Sequence, residues 1–192
     1  GVTLFLLADL GSDPFNVFVQ GLFRSVTHIP FLPFSTHGTV HIAVCFFIIL
    51  VLFVADRSYI KIGTLLCMIL GGPIIDIFTK LLQTPFSKLT SLTQKLPILA
   101  LGCVILAFGM TIVIKSDAGT GPNDLVAVII SDKSHRPFSV IRIIVDVSFI
   151  VIGFLLGGSI GIGTLICALL VGPVAGIFLP INEKWIKILI KE

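Results

Sequence analysis

Two short polar turns, each lying between an apolar segment and a proline, carry the side chains best suited to bind a solute. Proline at the first position of a helix is a start signal, so short helices are predicted to begin at Pro14 and Pro122. Free N–H groups at a helix start favour anions or polar oxygens, whereas carboxylates could hold a cation or an amine. The alternative is that these side chains do no more than cap the helices. The candidates are Asp9, Asp13, Asn16, Asp117, Asn123 and Asp124.

Ionisable residues inside apolar segments form a second candidate site. Arg142 and Asp146 are four residues apart in a predicted helix, so their side chains face the same way and can pair. Asp76 lies late in another apolar segment, with Lys80 one turn further on. Ionisable groups within a bilayer are costly and indicate function by default. The alternatives are a structural pair near a helix end and, for Asp76, a carboxylate that reaches the membrane interface.

Two threonines open matching apolar segments and complete the set of candidate substrate-binding residues. Thr64 and Thr164 each follow a glycine, and a Gly-Pro pair follows inside each segment, at Pro73 and Pro173. Small residues allow helices to approach closely, and each proline frees a backbone carbonyl one turn back. Such interruptions can line a cavity, although helix packing alone would explain the same residues.

No pattern in the sequence predicts catalysis. It contains no Gly-rich phosphate loop, no nucleophile elbow and no H-E-x-x-H motif. The histidines show no metal-ligand spacing and are expected in loops or interfaces; they are His28, His37, His41 and His135. The four cysteines lie in apolar runs and are expected to be packing residues. We therefore expect no enzyme activity, no catalytic residue, no metal and no cofactor.

The composition places most of the chain in lipid. Of the 192 residues, 56% are hydrophobic and only 12% are charged, and the mean hydropathy is +1.14. A soluble domain of this size could not bury so much apolar surface in one core. The net charge of +3 then bears on orientation in the membrane, and no nucleic-acid partner is expected.

The elements that position the candidate residues recur along the chain. Residues 60–78 and 160–178 are identical at 11 of 19 positions and share the pattern G-T-L-x-C-x-x-L-x-G-P. Self-similarity at a fixed spacing indicates a duplicated unit, which in an apolar chain is typical of repeat-built transporter folds. We predict an all-α polytopic membrane protein formed by tandem duplication of a unit with a long helix A, a short segment B, and long helices C and D.

The predicted bounds give six long transmembrane helices and two short ones. They are A at 1–8 and 96–114, B at 14–28 and 122–134, C at 40–55 and 140–156, and D at 60–82 and 160–181. We expect the chain shown to begin inside the first helix A, and an insert with Pro30 and Pro33 to form an extended loop. The predicted organisation is a first membrane repeat at 1–82, a basic linker at 83–95, a second repeat at 96–181 and an amphipathic cytoplasmic tail at 182–192.

The B segments decide the topology. Their 13 to 15 residues reach about 20 Å, too short for an easy crossing, so each is either a short span or a re-entrant helix. If they cross, the repeats are parallel and the Lys and Arg residues divide ten to three between the two sides. If they do not, the repeats are inverted and the division is nine to four. The positive-inside rule slightly favours crossing, and both models leave both termini in the cytoplasm.

Four stretches of the sequence resemble a known family. They are ADLGSDPFNV at 8–17, IKIGTLLCMILGGPIID at 60–76, GTGPNDL at 119–125 and GGSIGIGTLICALLVGP at 157–173. Together they resemble the YczE/YyaS/YitT-like group of bacterial integral membrane proteins over nearly the whole chain. The resemblance implies a multi-pass protein of the bacterial plasma (inner) membrane, for which a transport role is only supposed, and it assigns no catalytic residues.

The function expected from these features is a small-solute transporter or permease, with its pathway between the repeats near Pro14 and Pro122. No ATP-binding motif is visible, so the energy would come from an ion gradient, a partner subunit or the solute gradient. The alternatives are a substrate-binding membrane subunit of a multi-component uptake system and a lipid-handling or assembly protein. Expected partners are the lipid bilayer and an unknown small solute; a homo-oligomer and an energising subunit stay open, as does the charge of the solute.

Overall fold

The computed structural model describes residues 1–26, 37–86 and 91–190, and over these residues the chain is entirely helical. The helices are α1 Val2–Ala8, α2 Pro14–Val26, α3 His37–Ala55, α4 Ile62–Phe86, α5 Leu92–Lys115, α6 Pro122–Ser134, α7 Phe138–Leu155 and α8 Ile162–Ile190, with a 3₁₀ turn at Arg57–Tyr59. Four of them, α4, α5, α7 and α8, are long and apolar enough to cross a membrane, and α3 contains a shorter apolar stretch, Gly38–Val54. The all-α fold therefore agrees with the sequence prediction, whereas four helices of membrane length, rather than the predicted six, are found among the described residues.

The long helices differ from the predicted bounds at several ends. α5 begins at Leu92 rather than Leu96 and continues through Pro97, whose ring deprives the Thr93 carbonyl of its usual helical partner. α4 begins two residues later than predicted and extends to Phe86. α8 runs without interruption to Ile190, so residues 182–190, predicted as an amphipathic tail, continue this helix.

The two short helices begin where the prolines predict. α2 starts at Pro14, and the Asp13 carboxylate caps it by accepting the Asn16 backbone N–H at 3.1 Å. α6 starts at Pro122 after Gly121. Each helix has 13 residues. The predicted end of the first short segment at His28, and the insert with Pro30 and Pro33, lie outside the described residues.

α1 and α5 pack side by side in opposite directions. Gly1 lies against the backbone of Leu106, and Gly102 lies against Leu4 and Phe5. Leu10, just beyond the end of α1, and Leu99, near the start of α5, both contact Gly163. The two helices are therefore antiparallel.

Two matching hydrogen bonds attach the polar turns to the starts of long helices. The Gly163 N–H at the start of α8 donates to Leu10 O at 2.9 Å, and the Gly63 N–H at the start of α4 donates to Ala118 O at 2.8 Å. Leu10 lies near the beginning of α5, whereas Ala118 follows its end. The two contacts are therefore at opposite ends of α5.

Each short helix packs beside the C-terminal part of a long helix. In each case the long helix belongs to the other half of the chain. α2 follows α7, with the Phe15 and Phe149 rings edge to face at 5.4 Å near its start. Near its end the Ser25 hydroxyl donates to Leu156 O at 3.2 Å. α6 follows α3 in the same way, from a contact of Leu125 and Ile129 with Leu52 to an ion pair between Lys133 and Asp56 at 3.8 Å. Both short helices thus begin near the middle of the bundle and end at one of its faces.

The main core lies where α1, α5 and α8 meet. Leu99, Cys103 and Ala107 of α5 are fully buried, and they pack with Cys167, Val171 and Ala175 of α8. α4 is much more open, because no residue from Leu65 to Leu82 is buried. Its first turn is its best-anchored part among the described residues.

Candidate functional site

A cavity of about 380 Å³ lies where the starting ends of α2 and α6 meet. Its walls are otherwise mostly apolar and come from α1, α3, α4 and α5. The cavity therefore receives residues from both halves of the chain. Its polar and ionisable lining consists of Asp13, Asn16, His41, Asn123, Asp124 and Arg142.

A buried charge cluster forms one wall. The Arg142 Nε donates to Asp146 Oδ2 at 3.0 Å, the pair that the i,i+4 spacing predicts. Its Nη1 also donates to Asp124 Oδ1 at 2.6 Å, so a carboxylate from α6 joins the pair. Arg142 is 6% exposed and Asp146 is 1% exposed. Desolvating these groups is expensive, and the charge-assisted hydrogen bonds offset that cost.

The polar residues at the helix starts both cap and line the cavity. Asp13 accepts hydrogen bonds from the backbone N–H and the side-chain amide of Asn16. The Asn123 amide donates to Asp124 Oδ1 at 3.0 Å. Capping and cavity lining, treated as alternatives at the sequence level, therefore coincide at α2.

Three of the candidate carboxylates lie elsewhere. Asp9 is exposed at the end of α1, beside a separate pocket of about 290 Å³ that Ser159 also lines. Asp117 is exposed and forms an ion pair with Lys61. Asp76 is exposed on α4 and is not among the residues that line the central cavity.

The two candidate threonines lie at the contacts between turns and long helices rather than in the central cavity. Both are fully buried. The Thr164 hydroxyl donates to Ser12 O and accepts the Gly161 N–H at 3.3 Å. Thr64 occupies the matching place at the start of α4, beside Gly119, which has a φ of +97°.

Sequence reasoning missed three cavity residues. His41 was expected in a loop or interface, but it lies on α3 with its ring edge to face with Phe15 at 5.3 Å. Cys67 and Cys167, assigned to packing, both line the cavity. Their shared position in the G-T-L-x-C pattern is the signal that could have identified them.

A second, larger cleft of about 610 Å³ is lined by apolar side chains only. It lies between α2 and α3, and Phe149 of α7 and Val126 of α6 also line it. The other residues that line it are Phe18, Leu22, Val26, Val40, Ala43, Val44, Phe47 and Ile48.

Further polar contacts lie just beyond the end of α3. The Ser58 hydroxyl and backbone N–H donate to Asp56 Oδ1 at 2.7 and 3.1 Å. These hydrogen bonds lower the pKa of the Asp56 carboxyl, and Lys133 adds to the effect.

Membrane-length apolar helices around a cavity with buried charges define the class: this is a polytopic helical membrane protein. The chain belongs to a family of unknown function, DUF6198, whose sequence profile matches residues 1–180.

Individual relatives support the same assignment. The chain is 29% identical over 184 residues to an uncharacterised protein of Haemophilus influenzae, covering 96% of this chain and 79% of that protein. It is 30% identical over 124 residues to the uncharacterised membrane protein YczE of Bacillus subtilis, covering 65% and 56%. It is 26% identical over 184 residues to YyaS of Bacillus subtilis, covering 96% and 88%. The predicted resemblance to the YczE/YyaS group is confirmed, and no solved structure matches the chain.

Proposed function

We propose that the protein is a small-solute transporter or permease of the bacterial plasma membrane, and that the solute passes through the central cavity. The observation that carries this proposal is the meeting of α2 and α6 at one cavity of about 380 Å³, beside the buried Arg142 cluster. Interrupted or short helices that end near the bilayer midplane form the solute sites of many repeat-built transporters. Ionisable groups held at that depth favour a pathway over a purely structural role.

The proposed architecture is a pair of inverted repeats. The matched hydrogen bonds from Gly63 and Gly163 support duplication, because these glycines hold the same place in the recurring sequence pattern. The opposite directions of α1 and α5 support inversion. In this arrangement the short helices are re-entrant and reach the cavity from opposite faces.

The proposed orientation places the end of α5 at Lys115 in the cytoplasm. By sequence position, that side of the bundle carries nine of the 13 Lys and Arg residues. The positive-inside rule then assigns it to the cytoplasm, together with the end of α8. The inverted arrangement thus corresponds to the nine-to-four division of Lys and Arg residues. This division is less uneven than the ten-to-three division expected for parallel repeats.

The proposed activity is movement of a solute without covalent chemistry. In the wall of the cavity, the Arg142 guanidinium donates hydrogen bonds to the carboxylates of Asp124 and Asp146. A charged cluster of this kind suits recognition of a polar solute. The driving force would be an ion gradient, the solute gradient or an energising partner subunit.

A lipid-handling role is the second candidate function, and one observation favours it. The cleft beside α2 and α3 is lined by apolar side chains alone and is large enough to hold part of an acyl chain. A protein that handles lipid would use this cleft and would not need the polar cavity.

The two functions can be separated in proteoliposomes by stopped-flow light scattering, with a panel of small neutral, cationic and anionic solutes. Transport predicts that at least one solute enters faster than in protein-free vesicles. Asn16→Leu and Asn123→Leu should slow that entry by about tenfold or more, because each replaces a polar group of the cavity with a bulky apolar one. Ser148→Leu, on an exposed face of α7, is the matched control.

Equal entry rates for the wild type and both cavity variants would contradict the proposed pathway. No accelerated solute, together with lipid that co-purifies with the wild type and is lost on Val44→Trp substitution in the apolar cleft, would favour lipid handling.

A further inference from the structure

Two buried hydroxyl groups meet at the contact between the second polar turn and α4. Thr64 is fully buried and Thr120 is 4% exposed. Within the described part of the chain, neither Oγ1 atom has a hydrogen-bond partner. Buried polar side chains nearly always have one, so two orphans at one contact indicate that a partner belongs there.

The matching contact at the first turn shows that the deficit is local. There the Thr164 hydroxyl donates to Ser12 O and accepts the Gly161 N–H. Both contacts have the backbone hydrogen bond that attaches the turn, from Gly163 and from Gly63. Only the second turn leaves its threonine unsatisfied among the described residues.

A pocket of about 210 Å³ lies at this contact. Thr120 and Gly119 line it, and Thr64 Oγ1 lies 2.7 Å from the point where a Cβ on Gly119 would sit. Lys61, the residue before α4, lines the same pocket together with Asp117, its ion-pair partner. Hydroxyl donors, an ammonium group and the positive end of a 25-residue helix all favour an anion.

The present ion-pair partner of Lys61 indicates the chemical type of that anion. Its ammonium pairs with the Asp117 carboxylate, whose side chain is 85% exposed. An exposed ion pair of this kind is weak, so a bound oxyanion can replace it. At the first turn Gly161 stands where Lys61 stands at the second, and the cationic component is missing.

We propose that the pocket lined by Lys61 and Thr120, beside the buried Thr64, binds an oxyanion of phosphate type. The site is separate from the central cavity and does not depend on the transport proposal. Because it lies at the face of the bundle where α5 ends, the phosphate can come from solution or from the headgroup of an anionic lipid.

The test measures the thermal unfolding midpoint of the full-length protein in uncharged detergent, as inorganic phosphate replaces chloride at constant ionic strength. The wild-type midpoint should rise and saturate, because a ligand that binds only the folded state stabilises it. Lys61→Gln and Thr120→Val should need about tenfold more phosphate or more for the same rise.

Thr164→Val is the matched control. It removes a hydroxyl that has a partner, so its midpoint without phosphate should fall while its response to phosphate stays that of the wild type. Thr120→Val removes an unsatisfied hydroxyl, so its midpoint without phosphate should equal or exceed that of the wild type.

A second set of samples identifies the source of the phosphate. In nanodiscs of phosphatidylcholine, addition of phosphatidylglycerol should raise the wild-type midpoint if a lipid headgroup fills the site, and Thr120→Val should remove that rise. A response to inorganic phosphate without any response to phosphatidylglycerol identifies a soluble anion instead. The proposal is overturned if the wild type responds to neither, or if Thr120→Val and Thr164→Val respond alike.

Discussion

At Arg142, one guanidinium holds two carboxylates that come from different helices. Asp146 is a neighbour on α7, whereas Asp124 belongs to the start of α6. Removing the cation would leave the buried Asp146 and the partly buried Asp124 without compensation, which is far more costly than removing the whole cluster. The stability of the fold and the proposed site therefore depend on the same charged side chains.

Arg142→Met is therefore expected to lower the free energy of unfolding by roughly 3–5 kcal/mol. The triple variant Arg142→Met, Asp124→Leu and Asp146→Leu should recover much of that loss, because no charge stays buried. Denaturant titration in detergent measures both. Lys133→Met is the control: its exposed pair with Asp56 should cost about 0–1 kcal/mol. An Arg142→Met protein as stable as the Lys133→Met control would show that the cluster is hydrated rather than buried.

At the scale of helices, the α2–α7 contact is the closest one formed by a short helix. Gly21 lies against the carbonyl of Gly153, and Gly153 lies against the backbone of Val17 and Phe18. At this contact the helices approach with no side chain between them. The counterpart of this contact, between α6 and α3, is made by the larger side chains Leu125, Ile129 and Leu52.

Gly153→Ala should lower the free energy of unfolding by about 1–3 kcal/mol, because its Cβ would lie 2.6 Å from the Phe18 nitrogen. Gly109→Ala is the matched control on α5, where a Cβ would have no described heavy atom within 4 Å. The control should be neutral or stabilising by up to about 1 kcal/mol through helix propensity. Equal effects of the two substitutions, measured by the same titration, would contradict close packing of α2 on α7.

At the scale of the whole molecule, the direction of the helices separates the two topologies. Ser91 precedes α5 and His135 ends α6. In the inverted arrangement these residues lie on opposite faces of the membrane. In the parallel arrangement both lie in the cytoplasm.

In a variant without native cysteines, Ser91→Cys should therefore react with a membrane-impermeant maleimide in intact cells, and His135→Cys should react only after the cells are opened. The two positions are matched, since both side chains are exposed. Protection of both in intact cells would support parallel repeats, and labelling of His135→Cys alone would reverse the proposed orientation.

Sequence patterns predicted the helices well where local chemistry determines them. Pro14 and Pro122 set the starts of the short helices, and apolar length predicted α4, α5, α7 and α8. The i,i+4 spacing predicted the pair of Arg142 and Asp146. The ends of α5 and α8 were less predictable, because helix packing sustains a helix through Pro97 and Pro180 where local propensity alone would end it.

The sequence by itself determined an apolar helical membrane protein with a recurring pattern, its family, and a short set of polar residues. Those properties depend on composition and on spacing within one helix. Only the tertiary structure decided which polar residues meet. It brought Asp124 to Arg142 and Asn16 to the same cavity as Asn123, and it left Asp9, Asp76 and Asp117 outside that cavity. The reason is physical: contacts between distant segments depend on the relative directions of helices, which the period of a single helix does not encode.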